Sequence, residues 1–562
     1  MKVNAAKRGM TSLLQTFTIT DDITITEMPH TMRDVTQGAS LEGLLIGDAS
    51  LGGWDKLLGC PVGTDDFCRH QVLKIIQKKA ARLLNINKFR HAHHEYVALR
   101  YCGRLADYLV RMLPPRVLDL GLQELDRIKR GVFQTTLQTE MTEIQWSLAK
   151  QPSSGIGMAL GDPENVAIAS HLASLGDTSR TLKRLAESQL RETNLPKVQM
   201  LDGIRAALGR SSGLEELLSE MQRLVDTVEV QEKITNLPGT DQLEIMPRSQ
   251  RMRRYFEEQQ RRQILASPTW TPAQLARIRS GGEGGAGAWL DALPVMGPLR
   301  ADTQTFGHML RTRLQIDWVE THKVRRCLCG RPQDASTLSG AHFTLQCNKH
   351  GKYDSHRAVV QTMEKMYRQL GVQYATEPIG LRQDSESRPA DVMVVVPSEA
   401  QPGATRAVAW DAGVTDPGGQ QHVLMGSDKV PLHAAALRTK QKKDQFEARS
   451  VTHPPTLQFD YKPVVYENTS ARGASAQEWW DGICQMAKDK ESPFGLGFGS
   501  LMEYNGLAFA WTGQTFKRHW AIRMSFSIMY SAHRVGVSRV HELALTQGEE
   551  RATRGGRAAL LD

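Results

Sequence analysis

Three acidic residues lie near two short β-rich runs in the C-terminal half of the chain. Asp391 directly precedes the apolar run 392–396, and Asp411 directly follows the run 407–410. Glu377 lies upstream of both. Carboxylates at the ends of adjacent strands are oxygen ligands that can hold Mg²⁺. A held Mg²⁺ activates water and neutralises charge on a phosphodiester. The pattern predicts a metal-dependent nuclease core with Asp391 and Asp411 as magnesium ligands, although Asp is also common in strand-end turns.

Lysines on the helix expected after these strands could complete such a core. The apolar spacing predicts a helix from about 432 to 449, on which Lys440, Lys443 and Glu447 share one face. A lysine beside the scissile phosphate orients water or stabilises negative charge. We therefore expect Lys440 or Lys443 to serve the site. Arg388 could position a phosphate, or be an ordinary loop arginine.

A second group of candidate ligands is rich in sulfur and imidazole. We expect a structural Zn²⁺ ion to be held by Cys327, Cys329, His342 and Cys347. His350 or His356 could replace His342, and the alternative is a set of unbound thiols on a loop. The segment is short and loop-rich, so a metal could supply its folding energy.

Composition limits the class of protein. The chain has 562 residues, too many for one ordinary core, and its 40% hydrophobic and 23% charged residues are typical of globular domains. Seven scattered cysteines argue against a disulfide framework and favour a reducing compartment. The net charge of +9 favours a polyanionic partner, DNA first and also RNA. No apolar run suggests a membrane helix or signal peptide, so we expect an intracellular protein, nuclear or cytoplasmic.

Helical periodicity dominates the N-terminal half. Apolar spacing predicts helices from about 72 to 84, from 91 to 112, and through most of 116–265. His91, His93 and His94 cluster at the start of the second helix, where a surface position is the simpler interpretation. The basic stretch 248–262 could follow a phosphate backbone or be a solvated helix face. The glycine run 280–294 indicates a loop or hinge.

Strands alternate with helices in the C-terminal half. A helix at 356–370 precedes the nuclease candidate. Strands are predicted at 372–375, 392–396, 407–410 and 463–466. With the helix at 432–449 between the last two strands, this order predicts an α/β sandwich. The fold class is therefore multidomain, with a mostly helical N-terminal half, a C-terminal α/β domain and a small zinc-binding segment.

Several sequence blocks carry a resemblance to a known family. They are LLGCPVGTDDF, LRYCGRLADYLVRMLPP, SGGEGGAGAWLDALP, CLCGRPQDASTLSGAHFTLQC with HGKYDSHR, and EPIGLRQDSESRPADV through WDAGVTDP to KPVVYENTS. In this order, from about Gly52 to Ala476, they resemble the C-terminal part of eukaryotic non-LTR-type retroelement reverse transcriptase proteins. The resemblance implies that the first two blocks follow a polymerase palm and that the Cys/His block binds zinc.

The resemblance also implies a restriction-endonuclease-like PD-(D/E)XK domain that nicks target DNA. Carried over by position, Glu377, Asp391 and Asp411 match its acidic residues, and Lys440 or Lys443 would be its lysine, displaced onto a helix. Gly413 departs from the pattern, because it stands where the usual signature has lysine. Asp21-Asp22 lies too close to the first block for an intact palm, so polymerase activity is not expected.

The expected organisation has seven segments. These are an irregular segment 1–50, a reverse-transcriptase-tail-like region 51–135, a helical region 136–265, a glycine-hinged linker 266–326, a zinc element 327–356, an endonuclease-like domain 357–545 and a tail 546–562. Two functions remain open. One is a Mg²⁺-dependent DNA endonuclease, and the other is a non-catalytic nucleic-acid-binding remnant of a truncated reverse transcriptase protein.

Overall fold

A computed structural model provides the structure of the chain. It describes residues 53–57, 60–63, 65–113, 115–170, 248–294, 297–330, 332, 334, 338–347, 352–383, 388–397, 404–491 and 516–558. The chain divides into two compact units, one formed by 1–82, 104–128 and 162–259 and the other by 83–103, 129–161 and 260–562. Asp21, Asp22 and His350 lie outside the described residues, as do residues 171–247 of the stretch 116–265 that is predicted to be helical.

Helices account for most of the described chain. In order they are α1 (Asp65–Ala80), α2 (Ala92–Cys102), α3 (Leu109–Met112), α4 (Pro115–Leu137), α5 (Glu143–Lys150), α6 (Arg248–Leu265), α7 (Pro272–Gly281), α8 (Thr303–Arg313), α9 (Lys352–Gln369), α10 (Gln420–Leu424), α11 (His433–Thr452), α12 (Ala474–Glu491) and α13 (Phe516–Ala558). Residues 163–170 are also helical. Short 3₁₀ segments occur at Leu83–Phe89, Ala288–Asp291, Gly297–Leu299 and Val319–Lys323. The mostly helical N-terminal half agrees with the prediction.

The first unit contains a small hairpin followed by packed helices. Strands β1 (Gly53–Leu57) and β2 (Cys60–Gly63) pair antiparallel. Helix α1 begins with acidic residues and ends with basic ones, an order that complements the helix dipole. Gly121 of α4 lets α1 approach closely, because a Cβ atom there would lie 2.7 Å from Val72 Cγ1.

Two helices of the second unit begin with capping boxes. Thr142 caps α5 and Thr271 caps α7, and in each the glutamine three residues later bonds back to the capping residue. Pro272 then occupies the first turn of α7, where its missing N–H costs no helical hydrogen bond. These local signals fix where the two helices start.

One mixed four-stranded sheet forms the centre of the C-terminal part. Its strands are β3 (Tyr374–Thr376), β4 (Val392–Pro397), β5 (Thr405–Thr415) and β6 (Asp460–Glu467), in that spatial order. The β3–β4 and β4–β5 pairs are antiparallel, and the β5–β6 pair is parallel. Helices α10 and α11 lie in the connection from β5 to β6. The α/β character predicted for this region is confirmed, and all four predicted strands are present.

Helices cover both faces of this sheet. Side chains of α9, α12 and α13 form one buried cluster with β4, β5 and β6, including Met363, Val392, Trp480 and Ile528. Helix α11 packs against the other side of β5 and β6, where Phe446 stacks on Tyr461 with ring centroids 3.9 Å apart. Burial of these large apolar side chains is the main force that holds the sheet in place.

The prediction of a surface position for the histidine cluster is wrong at His93. Helix α2 begins at Ala92 as expected, but His93 is fully buried and stacks on Phe306 with centroids 3.9 Å apart. Its Nε2 lies 2.9 Å from the carbonyl oxygen of Ala292. Burial lowers the pKa of His93 to about 3, so this histidine is a neutral core residue.

The glycine run 280–294 is a tightly packed loop and not a hinge. A side chain at Gly287 would collide with the Ser153 backbone, and Gly285 has φ +91. Trp289, at the end of the run, is fully buried, and Ser525 Oγ accepts a hydrogen bond from its backbone N–H at 3.1 Å. The glycines therefore allow close packing and a left-handed turn. No helix among the described residues is long and apolar enough to cross a bilayer.

Candidate functional site

Strand pairing places the three predicted acidic residues side by side. Val392 of β4 is the register partner of Trp410 of β5, and the Asp391 N–H donates to the Trp410 carbonyl oxygen at 3.0 Å. The Glu377 N–H in turn donates to the Asp391 carbonyl oxygen at 2.7 Å. Glu377 follows β3 and Asp391 precedes β4, whereas Asp411 lies inside β5 at the point where its pairing with β4 stops. The three backbones are neighbours as expected, but the prediction that Asp411 ends its strand is wrong, because β5 continues to Thr415 alongside β6.

Asp391 is held by a histidine and a backbone amide. Its Oδ2 lies 3.0 Å from His356 Nε2 and accepts a hydrogen bond from the Ala412 N–H at 2.7 Å. Burial opposes ionisation of this carboxyl, but the His356 hydrogen bond and charge, the Ala412 amide and the Lys442 charge outweigh it and lower the pKa of Asp391. His356 was considered a spare zinc ligand, and the structure places it on Asp391 instead.

Asp411 is held by a lysine and a tyrosine. Lys442 Nζ donates to its Oδ1 at 2.6 Å, and the Tyr461 hydroxyl donates to its Oδ2. The Lys442 and Asp411 side chains are 10% and 19% exposed, so the pair is largely shielded from solvent. Burial and the adjacent Asp411 charge both raise the pKa of Tyr461 above its ordinary range, so the phenol keeps its proton.

The lysine that contacts Asp411 differs from both predicted ones. Lys440 and Lys443 are exposed on α11, whereas Lys442 is buried on the face toward the sheet. A Cβ atom at Gly413 would lie 2.9 Å from Lys442 Cε. Lys442 therefore occupies the space into which a lysine at position 413 would project. A sequence signal existed, because Ala435, Lys442 and Phe446 share the helical spacing of the packed face.

The Glu377 carboxylate faces solvent. Glu377 has φ +43, and its carboxylate pairs with the Arg388 guanidinium, both side chains being about 60% exposed. Among the residues that the structure describes, the only group of three or more candidate metal ligands within 4.8 Å of one another is the Cys/His cluster. The backbones of the three acidic residues are therefore adjacent, but their carboxylates do not form one cluster of metal ligands.

The four predicted zinc ligands converge. The ligand atoms of Cys327, Cys329, His342 and Cys347 all lie within 4.8 Å of one another. Cys327 Sγ is 3.7 Å from Cys347 Sγ, and Cys329 Sγ is 3.3 Å from His342 Nε2. A tetrahedral zinc ion with ordinary bond lengths separates two sulfur ligands by about 3.8 Å and sulfur from nitrogen by about 3.6 Å. The cluster could therefore hold a zinc ion.

Two unusual backbone features shape this cluster. Gly330, with φ +86, ends the turn that follows Cys327 and Cys329, and its N–H donates to the Cys327 carbonyl oxygen at 2.9 Å. A single π-helical turn, His342–Gln346, begins at the third candidate ligand and directly precedes the fourth, Cys347. Cys327 and Cys347 also belong to a buried apolar cluster with Trp318, Phe343 and residues of α13. The ligands are thus positioned by packing as well as by the loop.

A buried polar centre that the sequence analysis missed connects this element to the sheet. Asp416, just after β5, forms a two-point ion pair with Arg277 of α7, with distances of 3.0 and 3.1 Å. It also accepts hydrogen bonds from the side chains of Gln346, at 2.7 Å, and Asn468, at 3.0 Å. The Arg277 charge and these hydrogen bonds overcome the effect of burial and lower the pKa of Asp416. Gln346 directly precedes the candidate ligand Cys347.

The site can thus be described as two neighbouring parts. One pairs Asp391 with His356 and Asp411 with Lys442 where the pairing of β4 and β5 stops, and the other is the Cys/His cluster. Comparison with known proteins adds no further assignment, since no family model and no curated protein matches the chain.

Proposed function

We propose that the chain is a retroelement-derived DNA endonuclease that hydrolyses phosphodiester bonds at Asp391 and Asp411. The observation that carries the proposal is the contact of Lys442 with Asp411, next to Asp391 on the adjacent strand. Two acids on adjacent strands and a lysine beside them form a set that can hold a phosphate and stabilise its developing charge. The resemblance to reverse transcriptase proteins with a PD-(D/E)XK domain supports the same proposal.

Each residue has a defined part in this proposal. His356, 36% exposed, holds Asp391 through its Nε2 and stabilises the ionised carboxylate, and the attacking water releases its proton to solvent. Lys442 stabilises charge on the phosphate, and Tyr461 holds the second oxygen of Asp411. Asp391 and Asp411 would hold Mg²⁺, which supplies Lewis-acid stabilisation when bound. The Cys/His cluster would hold a structural zinc ion, because its four donors are of the type and spacing that zinc takes.

The test is nicking of supercoiled plasmid by the full chain with Mg²⁺. We expect the wild-type protein to produce open circles and the Asp391→Asn and Asp411→Asn variants to be at least about 100-fold slower. Lys443→Ala serves as the matched control, since Lys443 lies one residue from Lys442 but is exposed. Equal nicking by the wild type and both Asn variants would refute the proposal.

A second candidate is a non-catalytic nucleic-acid-binding protein. The observation that favours it is the Glu377 carboxylate, which pairs with Arg388 at the surface and leaves the three acids without a common cluster. This candidate predicts salt-dependent DNA binding without nicking in Mg²⁺ or Mn²⁺. Cleavage that Asp391→Asn abolishes would exclude it.

A further inference from the structure

A groove runs between α9 and α13 in the second unit. Its volume is about 570 Å³, and it is open to solvent. Side chains from the first turns of α9 line one wall, and Tyr530, Arg534 and Ser538 of α13, spaced by four residues, line the other. The lining is mainly polar. A groove of this kind suits a charged, hydrated partner better than an apolar one.

The charge of the groove is positive. Arg357, Arg534 and Arg539 line it against the single carboxylate of Asp354. Among the residues whose side chains the structure describes, α13 carries five Lys and Arg against one Glu, and α9 carries three Lys and Arg against one Asp and one Glu. Basic side chains concentrated along two packed helices produce a positive field that attracts a polyanion.

The arginines can change partners at little cost. Arg357 pairs with Asp354 one turn away and remains 68% exposed, and Arg539 pairs with Glu542 and is 44% exposed. Exposed pairs of this kind contribute little to stability. Arg534 is exposed and forms no ion pair with any described residue. All three guanidinium groups are thus accessible to phosphate oxygens.

The groove shares helix α9 with a residue of the candidate site. Arg357 directly follows His356, whose ring contacts Asp391, on the same turn of α9. We propose that this groove binds the sugar-phosphate backbone of duplex DNA and leads it past His356. The inference rests on the proposed function for its substrate, but the binding surface can be tested without any cleavage.

The experiment measures DNA affinity in an Asp411→Asn background without added divalent metal or chelator, so that neither cleavage nor metal removal interferes. We introduce Arg357→Ala, Arg534→Ala and Arg539→Ala together into this Asp411→Asn protein. Affinity for a fluorescent duplex should fall at least about 30-fold at 0.1 M salt, and the slope of log affinity against log salt should decrease by about 2 to 3. The Lys-for-Arg triple variant should retain most of the affinity.

Arg127→Ala is the matched control. Arg127 is 71% exposed and pairs with an acid three residues before it, Glu124, as Arg357 pairs with Asp354, yet it does not line the groove. It should bind DNA like the parent protein. Thermal melting of the triple variant shows whether it has kept its fold, and the Lys-for-Arg variant separates loss of charge from misfolding.

The outcomes distinguish the groove from the proposed activity. Unchanged affinity and salt slope in the Ala triple variant would overturn the groove assignment even if the wild type nicks DNA. Weakened binding supports the groove even if the wild type never nicks. A parallel titration uses single-stranded RNA of equal length. Loss of RNA affinity with duplex DNA affinity unaffected would overturn the DNA assignment.

Discussion

Lys442 approaches Asp411 through space that Gly413 leaves open. Its Cε atom lies 2.9 Å from where a Cβ atom at position 413 would be, and its Nζ reaches Asp411 Oδ1 at 2.6 Å. A glycine on the strand and a lysine on the next helix thus deliver the amine to the same place as a strand lysine would. Under the proposed function, Lys442 would therefore take the part of the lysine that Gly413 does not supply.

The first prediction concerns the position of the amine, which is carried by Lys442 on α11 and not by a lysine at position 413 of β5. Lys442→Ala should slow nicking about 100- to 1000-fold, because it removes the amine from Asp411. Adding Gly413→Lys to Lys442→Ala should restore a substantial part of the rate, since the nearest remaining atom to a Cβ at 413, apart from Lys442, is Val465 Cγ2 at 3.6 Å. Plasmid nicking rates measure both effects.

Lys440→Ala and Lys443→Ala are the controls for this prediction, since both side chains are exposed on the same helix. Each should leave the nicking rate within about twofold of the wild type. If either control slowed nicking as much as Lys442→Ala, the assignment of the amine to Lys442 would be wrong.

The amino-acid sequence was informative where local periodicity decides the outcome. Short apolar runs located β4 and β5, and Asp391 and Asp411 became neighbours because they follow on from the antiparallel pair of Val392 and Trp410. Cysteine and histidine spacing identified all four members of the Cys/His cluster. The strand signals lie within a few residues along the chain, and the four cluster members lie within one short segment between positions 327 and 347.

The partners of these acids come from distant segments, and sequence spacing alone did not identify them. His356 lies 35 residues before Asp391, and Tyr461 lies 50 residues after Asp411. Lys442 was missed because the shared helical face of Lys440, Lys443 and Glu447 was preferred. The helical phase of Ala435 and Phe446 places Lys442 on the face packed against the sheet. Asp416 and Arg277 are 139 residues apart, and no local pattern connects them.

The second prediction concerns pH. The His356 hydrogen bond and charge help to lower the pKa of Asp391, so His356→Ala should raise that pKa. Because the ionised carboxylate is needed for function, the acidic limb of the nicking rate profile should move to higher pH, in addition to an overall loss of rate. His453→Ala, at the exposed end of α11, should leave the acidic limb in place. An unshifted limb in His356→Ala would contradict the role given to this contact.

The third prediction concerns zinc. Protein purified without chelator should contain one zinc per chain, and Cys327→Ser or Cys347→Ser should lower the zinc content and the melting temperature. Elemental analysis and thermal melting measure these. Cys102→Ser is the control, because Cys102 is exposed and is not part of the cluster. Full zinc content in both cluster variants would show that the metal binds elsewhere.

The fourth prediction concerns the buried ion pair of Arg277 and Asp416. Both side chains are 5% exposed, so Arg277→Ala leaves the Asp416 charge buried without its main partner and should destabilise the protein by about 3 to 5 kcal/mol. Asp416→Asn combined with Arg277→Ala should recover part of that loss. Arg253→Ala is the control, since Arg253 forms a more exposed pair with Glu257. Urea unfolding followed by tryptophan fluorescence measures the differences.

The last prediction concerns Glu467, which is fully buried and accepts a hydrogen bond from the Ala435 N–H in the first turn of α11 at 3.1 Å. Burial raises the pKa of Glu467 to about 7, despite hydrogen bonds from Ser280 and Ala435, and the charges of Asp416 and Glu283 add to this rise. The folded state thus binds a proton that the unfolded state releases near pH 4.5. The stabilisation from this proton is complete at low pH and is lost as pH rises toward 7.

Glu467→Gln should therefore abolish the part of the pH dependence of the unfolding free energy that comes from the titration of Glu467. Between pH 5 and 8 the unfolding free energy of the wild type should fall relative to the variant by on the order of 3 kcal/mol, since each pKa unit corresponds to about 1.4 kcal/mol. Glu124→Gln is the control, because Arg127 lowers the pKa of Glu124 and its contribution changes only at more acidic pH. Parallel curves for the wild type and Glu467→Gln across this range would show that Glu467 stays ionised, and α11 would then be anchored by a carboxylate at every pH tested.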